Sequence, residues 1–225
     1  MTPYLRNVGL ALPLYALALA PFVLLADAID VDIDTGYALI GALGWWLALL
    51  LRMPFILFAK QKELDFKLSN RLIVGASGPA EELVRLIILL IIGLTTNNAF
   101  SVGLGWAAIE IVYGLVQIVG IGILEQRTDK EAEEAKKLMK QAGMDKSLEP
   151  STPFWGALER VSASALHIGF SLMLVFSPFM VAFTIPFHSA VNFGVLRANA
   201  ASVGKSQLTL LVVGLGILAI GILLS

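Results

Sequence analysis

Glu81, Glu82 and Arg85 stand inside an apolar run that extends from Leu72 to Leu94. A charge at the centre of a bilayer costs roughly 2.5–3.5 kcal/mol on insertion scales, so three of them close together need partners. On a helix, Glu81 and Arg85 are i,i+4 and Glu82 and Arg85 are i,i+3. Arg85 is placed to neutralise one carboxylate and leave the other facing a cavity as a base or ligand. Glu110, His167, His188 and Asn192 interrupt other apolar runs, and both histidines of the chain are among them. His188 and Asn192 are i,i+4 and share a helix face; Arg160 and His167, seven apart, share another. Glu159 and Arg160 read as an ion pair near the membrane interface.

A carboxylate that holds a water molecule, with a histidine and a side-chain amide nearby, is a hydrolytic set. The buried glutamate serves as general base. A His and an Asn on one face can donate hydrogen bonds to a developing oxyanion. Glu81, Glu110, His167 and His188 could instead hold a divalent metal such as zinc that activates the water. No HExxH motif is present, the chain has no cysteine, and neither histidine has an evident serine and carboxylate pair.

These residues need helices of membrane length to bring them to one depth. The chain has 225 residues, 57% of them hydrophobic and 15% charged, with a net charge of -1. Its mean hydropathy is +0.82. A soluble domain is about 25% charged. The pattern predicts an all-α, polytopic membrane bundle of about seven transmembrane helices, one integral membrane domain over residues 1–225. The predicted spans are 8–26, 37–59, 72–94, 99–124, 154–176, 178–196 and 207–224. Each lies near the roughly 20 residues that cross hydrocarbon. The first run follows only Arg6, lacks a small-residue cleavage site and reads as a retained span.

Lys and Arg fall in every second loop. Lys60, Lys62, Lys67 and Arg71 lie in the second, Arg127 to Lys146 in the fourth, and Arg197 and Lys205 in the sixth. The first loop carries Asp27, Asp30, Asp32 and Asp34 and no basic residue. The positive-inside rule then places the N-terminus in the cytoplasm and the C-terminus outside. Residues 125–153 form the one long charged cytoplasmic loop, in which alternating charges predict a short solvated helix. Arg52 is placed to snorkel to the interface. Trp45, Trp46, Trp106 and Trp155 read as packing or interface anchors.

Two backbone features suit a cavity. Gly78-Pro79 precedes the glutamates and Pro186 precedes His188. Proline in a helix frees a carbonyl, which in lipid must be satisfied by protein or water. Gly103, Gly105 and Ala107, ahead of Glu110, have the spacing that lets helices approach closely, which predicts a central fourth span.

Taken in order, Glu81-Glu82-x-x-Arg85, Glu110 after its glycine-spaced lead, Leu158-Glu159-Arg160 with His167, and His188-x-x-x-Asn192 resemble the YhfC family. That family belongs to the wider superfamily of PrsW-type and CAAX-processing/bacteriocin-protection intramembrane proteases. The resemblance covers a core of about residues 70–196. It implies a glutamate-type or metal-dependent membrane peptidase, with Glu81 as the water-activating base assisted by Glu110. It implies His188 and Asn192 as the oxyanion site, Glu82 and Arg85 as orienting groups, and His167 as a further site histidine or ligand. Some relatives have Asp where this chain has Asn192. The expected setting is the plasma membrane of a prokaryote. The expected partners are membrane lipid, a peptide or membrane-protein substrate and possible partner membrane proteins; nucleic acid is not among them.

Two rivals share the pattern. The same superfamily includes the catalytically silent seven-helix scaffold subunit of gamma-secretase, so fold alone does not establish activity. Intramembrane Glu and His also mark ion paths, which keeps a proton- or cation-coupled transporter in view. No inverted repeat of broken helices supports the latter.

Overall fold

The computed structural model describes residues 3–141 and 153–225. The described residues form eleven α-helices and one 3-10 turn, with no strand among them. The helices are α1 (Pro3–Leu17), α2 (Ala20–Ala28), α3 (Thr35–Leu50), α4 (Met53–Gln61), α5 (Phe66–Gly75), α6 (Ser77–Ile92), α7 (Thr96–Gln126), α8 (Lys130–Gln141), α9 (Pro153–Phe176), α10 (Val181–Ala201) and α11 (Val203–Leu224). The 3-10 turn, Pro178–Met180, makes the predicted break between the fifth and sixth spans.

Among the described residues, six helical segments are long and apolar enough to cross a membrane: Val8–Ala28, Thr35–Gln61, Thr96–Gln126, Pro153–Phe176, Pro178–Asn199 and Val203–Leu224. The chain is an integral membrane protein of the all-α class. The third predicted span, 72–94, differs from the others. It is divided at Ala76 into α5 and α6, and its charges lower its hydropathy. The cause of the division is Pro79. It has no N–H for the Gly75 carbonyl, and Ser189 on α10 donates its hydroxyl there instead, at 3.0 Å. The freed carbonyl is thereby satisfied by protein, as a lipid setting requires.

Burial is inverted relative to a water-soluble bundle. Leu39, Ile91, Val212 and Leu223 are exposed on the outside, while Glu82, Arg85, Ser162 and Ser171 are fully buried. Apolar surface of that extent in water would be an aggregation hazard; against lipid it is the solvent-facing side. Two contacts fix which ends share a face. The Asp34 amide donates to Ser101 Oγ at 2.9 Å, and Thr96 Oγ1 donates to the Ser225 carbonyl at 3.4 Å. The first loop, the start of α7 and the C-terminus therefore lie on one side, as the loop charges predict.

Helix α7 is central, packed between α3 and α9. Its segment from Ser101 to Ala107 is buried throughout. The glycines explain the closeness. A Cβ on Gly105 would fall 1.8 Å from the Ala38 carbonyl oxygen of α3, and one on Gly103 would fall 2.7 Å from the Ile168 Cα of α9. Gly105→Val is expected to push α3 off α7 and cost at least the roughly 1–3 kcal/mol of an overpacked core, read as a lowered Tm in detergent. An unchanged Tm would contradict this packing.

The long charged loop contains α8, as its charge pattern predicts. Asp129 caps it by accepting the Ala132 amide at 3.1 Å. The Arg127 guanidinium beside Asp129, with that amide, holds its carboxyl down from 3.8 to about 2. The cap is present above the ordinary value and is lost only as pH falls toward about 2. Within the predicted loop 125–153, residues 142–152 lie outside the described ones.

Candidate functional site

The polar residues of four separate spans meet around one cavity of about 300 Å³. Glu81, Glu110, His167, His188 and Asn192 all line it. Its apolar wall is made by Leu49, Leu166, Phe170, Val191, Val195 and Leu210.

Helix α6 supplies the first wall. Glu81 and Glu82 are adjacent, so they point about 100° apart on the helix and take different partners. Glu82 faces inward. Its Oε2 lies 3.3 Å from Arg85 Nε, and its Oε1 lies 2.8 Å from His188 Nδ1. Glu81 faces the cavity, as expected for the carboxylate that Arg85 does not take. It is not unpaired, however. Arg52 Nη2 pairs with its Oε1, and Trp106 Nε1 donates to its Oε2 at 3.0 Å. One expectation is corrected here. Arg52 turns inward rather than snorkelling, because the helix breaks between Leu50 and Met53 and Pro54 follows. Trp106 packs in the core with Ala48 and Val84, as expected, and is in addition a buried donor to the site. Trp45 does pack as expected, against Tyr113 with ring centroids 5.1 Å apart.

Helix α10 supplies the facing wall. His188 and Asn192 share a face and both address α6: His188 meets Glu82, and Asn192 Nδ2 donates to Ser77 Oγ at 2.8 Å. A carboxylate only accepts, so His188 Nδ1 carries the proton toward Glu82. Its Nε2 then lies 3.7 Å from Glu81 Oε2, too long for a direct hydrogen bond; a water seated beside the two atoms could reach both. Phe170 stacks on the His188 ring at 5.7 Å and holds its plane.

Arg85, fully buried, ties α6 to α9. Its Nη1 donates to the His167 carbonyl at 2.7 Å and to Ser171 Oγ at 2.9 Å. Its Nη2 lies 3.0 Å from His167 Nδ1, and its guanidinium lies 4.4 Å from the Trp106 ring centroid. Arginine only donates, so His167 Nδ1 is the acceptor and Nε2 carries the proton. That proton points at Glu110 Oε2, 2.5 Å away. Arg160 Nη1 donates to the other Glu110 oxygen at 2.7 Å, and Arg160 also pairs with Glu159. The shared face of Arg160 and His167 thus converges on one carboxylate. Glu159 in turn accepts from Gln207 at 2.8 Å, which ties the pair to α11.

The metal reading of Glu81, Glu110, His167 and His188 does not fit this geometry. Both nitrogens of His167 are committed, to Arg85 and Glu110, and His188 Nδ1 is committed to Glu82. Glu81 and Glu110 each carry an arginine, which a metal ligand would have to shed. Among the described residues no group of three or more His, Asp or Glu side chains is arranged to hold a metal ion.

The sequence reading missed Arg52, Trp106, Ser171, Ser189 and Gln207 as members of the network. Ser171 lay one turn after His167 and Trp106 one turn before Glu110, which is the signal that was there to use. Arg52 is 29 residues from Glu81 and had no local signature. No protein-family model, curated protein or solved structure matches the chain.

Proposed function

We propose that the chain is an intramembrane endopeptidase of the glutamate type, acting on a peptide within or next to the bilayer. The observation that carries this is the meeting of Glu81, Glu110, His188 and Asn192 on one cavity, with His188 Nε2 3.7 Å from Glu81 Oε2. A water between Glu81 and His188 attacks the scissile carbonyl carbon and gives its proton to that pair. The carbonyl becomes an oxyanion, which the second N–H of the Asn192 amide stabilises, its first being held by Ser77. Collapse breaks the C–N bond, and the proton passes from the pair to the departing nitrogen. Glu82, backed by Arg85, fixes the His188 tautomer, and Arg160 and His167 hold Glu110 in place.

The apolar wall suits a peptide with aliphatic side chains. The setting is the plasma membrane of a prokaryote, as for the YhfC-type proteins the motif order resembles. The purified chain in liposomes, given fluorescein-labelled casein as a general reporter, is expected to release labelled peptides, and His188→Ala to lose most of that release. Equal release by His188→Ala would sink the proposal.

One observation favours a second reading, a silent scaffold. Each carboxylate of the network is paired with an arginine. A scaffold would retain a partner protein through purification and cleave nothing on its own.

A further inference from the structure

Three arginines serve the network, and two of them hold several acceptors each. Arg85 bonds the His167 carbonyl, Ser171, His167 Nδ1 and Glu82. Arg160 holds two carboxylates, Glu110 and Glu159. Arg52 differs. Among the described residues its guanidinium bonds only Glu81, through Nη2. Its Nε, like that of Arg85, is buried without a hydrogen-bond partner, but of these two arginines only Arg52 borders the cavity, with its side chain 16% exposed.

An unpaired buried donor costs about 1–3 kcal/mol, more when charged, and calls for a reason. The reason can be chemical, because a donor already stripped of water is worth most where negative charge develops. The donors on the walls that face Glu81 are partly spent, while Tyr113 and Gln117 line the same cavity from α7. Asn192 is held by Ser77, His188 Nδ1 by Glu82 and His167 by Glu110. Arg52 is also held beside the carboxylate that would bind the attacking water, and with Nη2 on Glu81 and Nε buried, its Nη1 is the group placed to reach the point of attack.

Resting on the endopeptidase reading, we propose that Arg52 is a catalytic residue: its unfilled guanidinium donates to the oxyanion formed when the Glu81–His188 water attacks the peptide carbonyl. The Glu81 pairing thus does two things. It neutralises the base in the resting site, and it aims a cationic donor at the transition state. The donation moves no proton and needs no co-reactant.

The test compares two probes on the purified chain in detergent. One is a phosphinic pseudopeptide with leucine side chains, which mimics the tetrahedral state; the other is leucyl-leucine amide, which mimics the ground state. The wild-type chain is expected to bind the phosphinate at least about a hundredfold more tightly than the amide. Arg52→Lys keeps the charge opposite Glu81 and removes the planar fork. It is expected to reduce that preference at least about tenfold, while amide binding and Tm stay unchanged. Arg52→Gln should remove more of the preference. Full preference retained by Arg52→Lys, or an equal loss of binding for both probes, overturns the role of Arg52 and leaves the endopeptidase reading standing. No preference in the wild-type chain counts against both.

Discussion

Glu81→Gln is expected to lower peptide release by about 10²–10⁴-fold, the usual contribution of a positioned general base. The substitution changes one oxygen for an amide group of the same size. Trp106 can still donate to the remaining carbonyl oxygen and the contacts of Arg85 are untouched; Arg52, which borders the cavity, loses its carboxylate, so a lowered Tm without loss of the fold is expected. The protein should therefore fold, and circular dichroism and gel filtration should match the wild type. What is lost is the acceptor for the water's proton opposite His188 Nε2. A scaffold with the same buried network would show the opposite pattern: partner binding maintained and no activity to lose. Normal cleavage by a well-folded Glu81→Gln chain would remove Glu81 from the mechanism.

Arg85→Ala is expected to have the largest effect on stability. Arg85 is the main polar tie between α6 and α9, and Glu82 beside it is fully buried. Removing one partner of a buried ion pair costs about 3–5 kcal/mol, because the other charge is stranded. Two further groups lose their partner, His167 Nδ1 and Ser171. The damage reaches the chemistry, since Glu82 then holds His188 without a counter-charge. Arg85→Met combined with Glu82→Leu should recover part of the Tm, as an apolar replacement of both partners often does. It should not recover activity, because His188 Nδ1 is left without its acceptor. A single Arg85→Ala variant with unchanged Tm would show that the pair is not structural.

Much of this site was legible in local spacing. Positions three, four and seven apart lie on one helix face, and that is enough to put Glu82 with Arg85, His188 with Asn192 and Arg160 with His167. The cost of charge in hydrocarbon then forces those faces inward. The loop charges gave the side on which each helix begins, and Ser177-Pro178 marked the division of the last long apolar stretch. What local spacing does not encode is pairing across the bundle. Arg52 meets Glu81 only because α3 ends just ahead of it, and Trp106 meets Glu81 only because Gly103 and Gly105 let α7 approach its neighbours. The same cross-bundle pairs decide the metal question. Both histidines look free in the sequence, and in the fold their nitrogens are claimed by Arg85, Glu110 and Glu82. Pro79 could be read as a break, but the donor that repairs it, Ser189, is 114 residues away.

The central claim is that water is added to a peptide bond at the Glu81–His188 pair. The most direct measurement is mass spectrometry of protein termini in membranes of cells that express either the wild-type chain or Glu81→Gln at equal levels. New termini inside or beside apolar segments, present with the wild type and absent with Glu81→Gln, are the expected result. Identical sets of termini from the two membranes would contradict the claim.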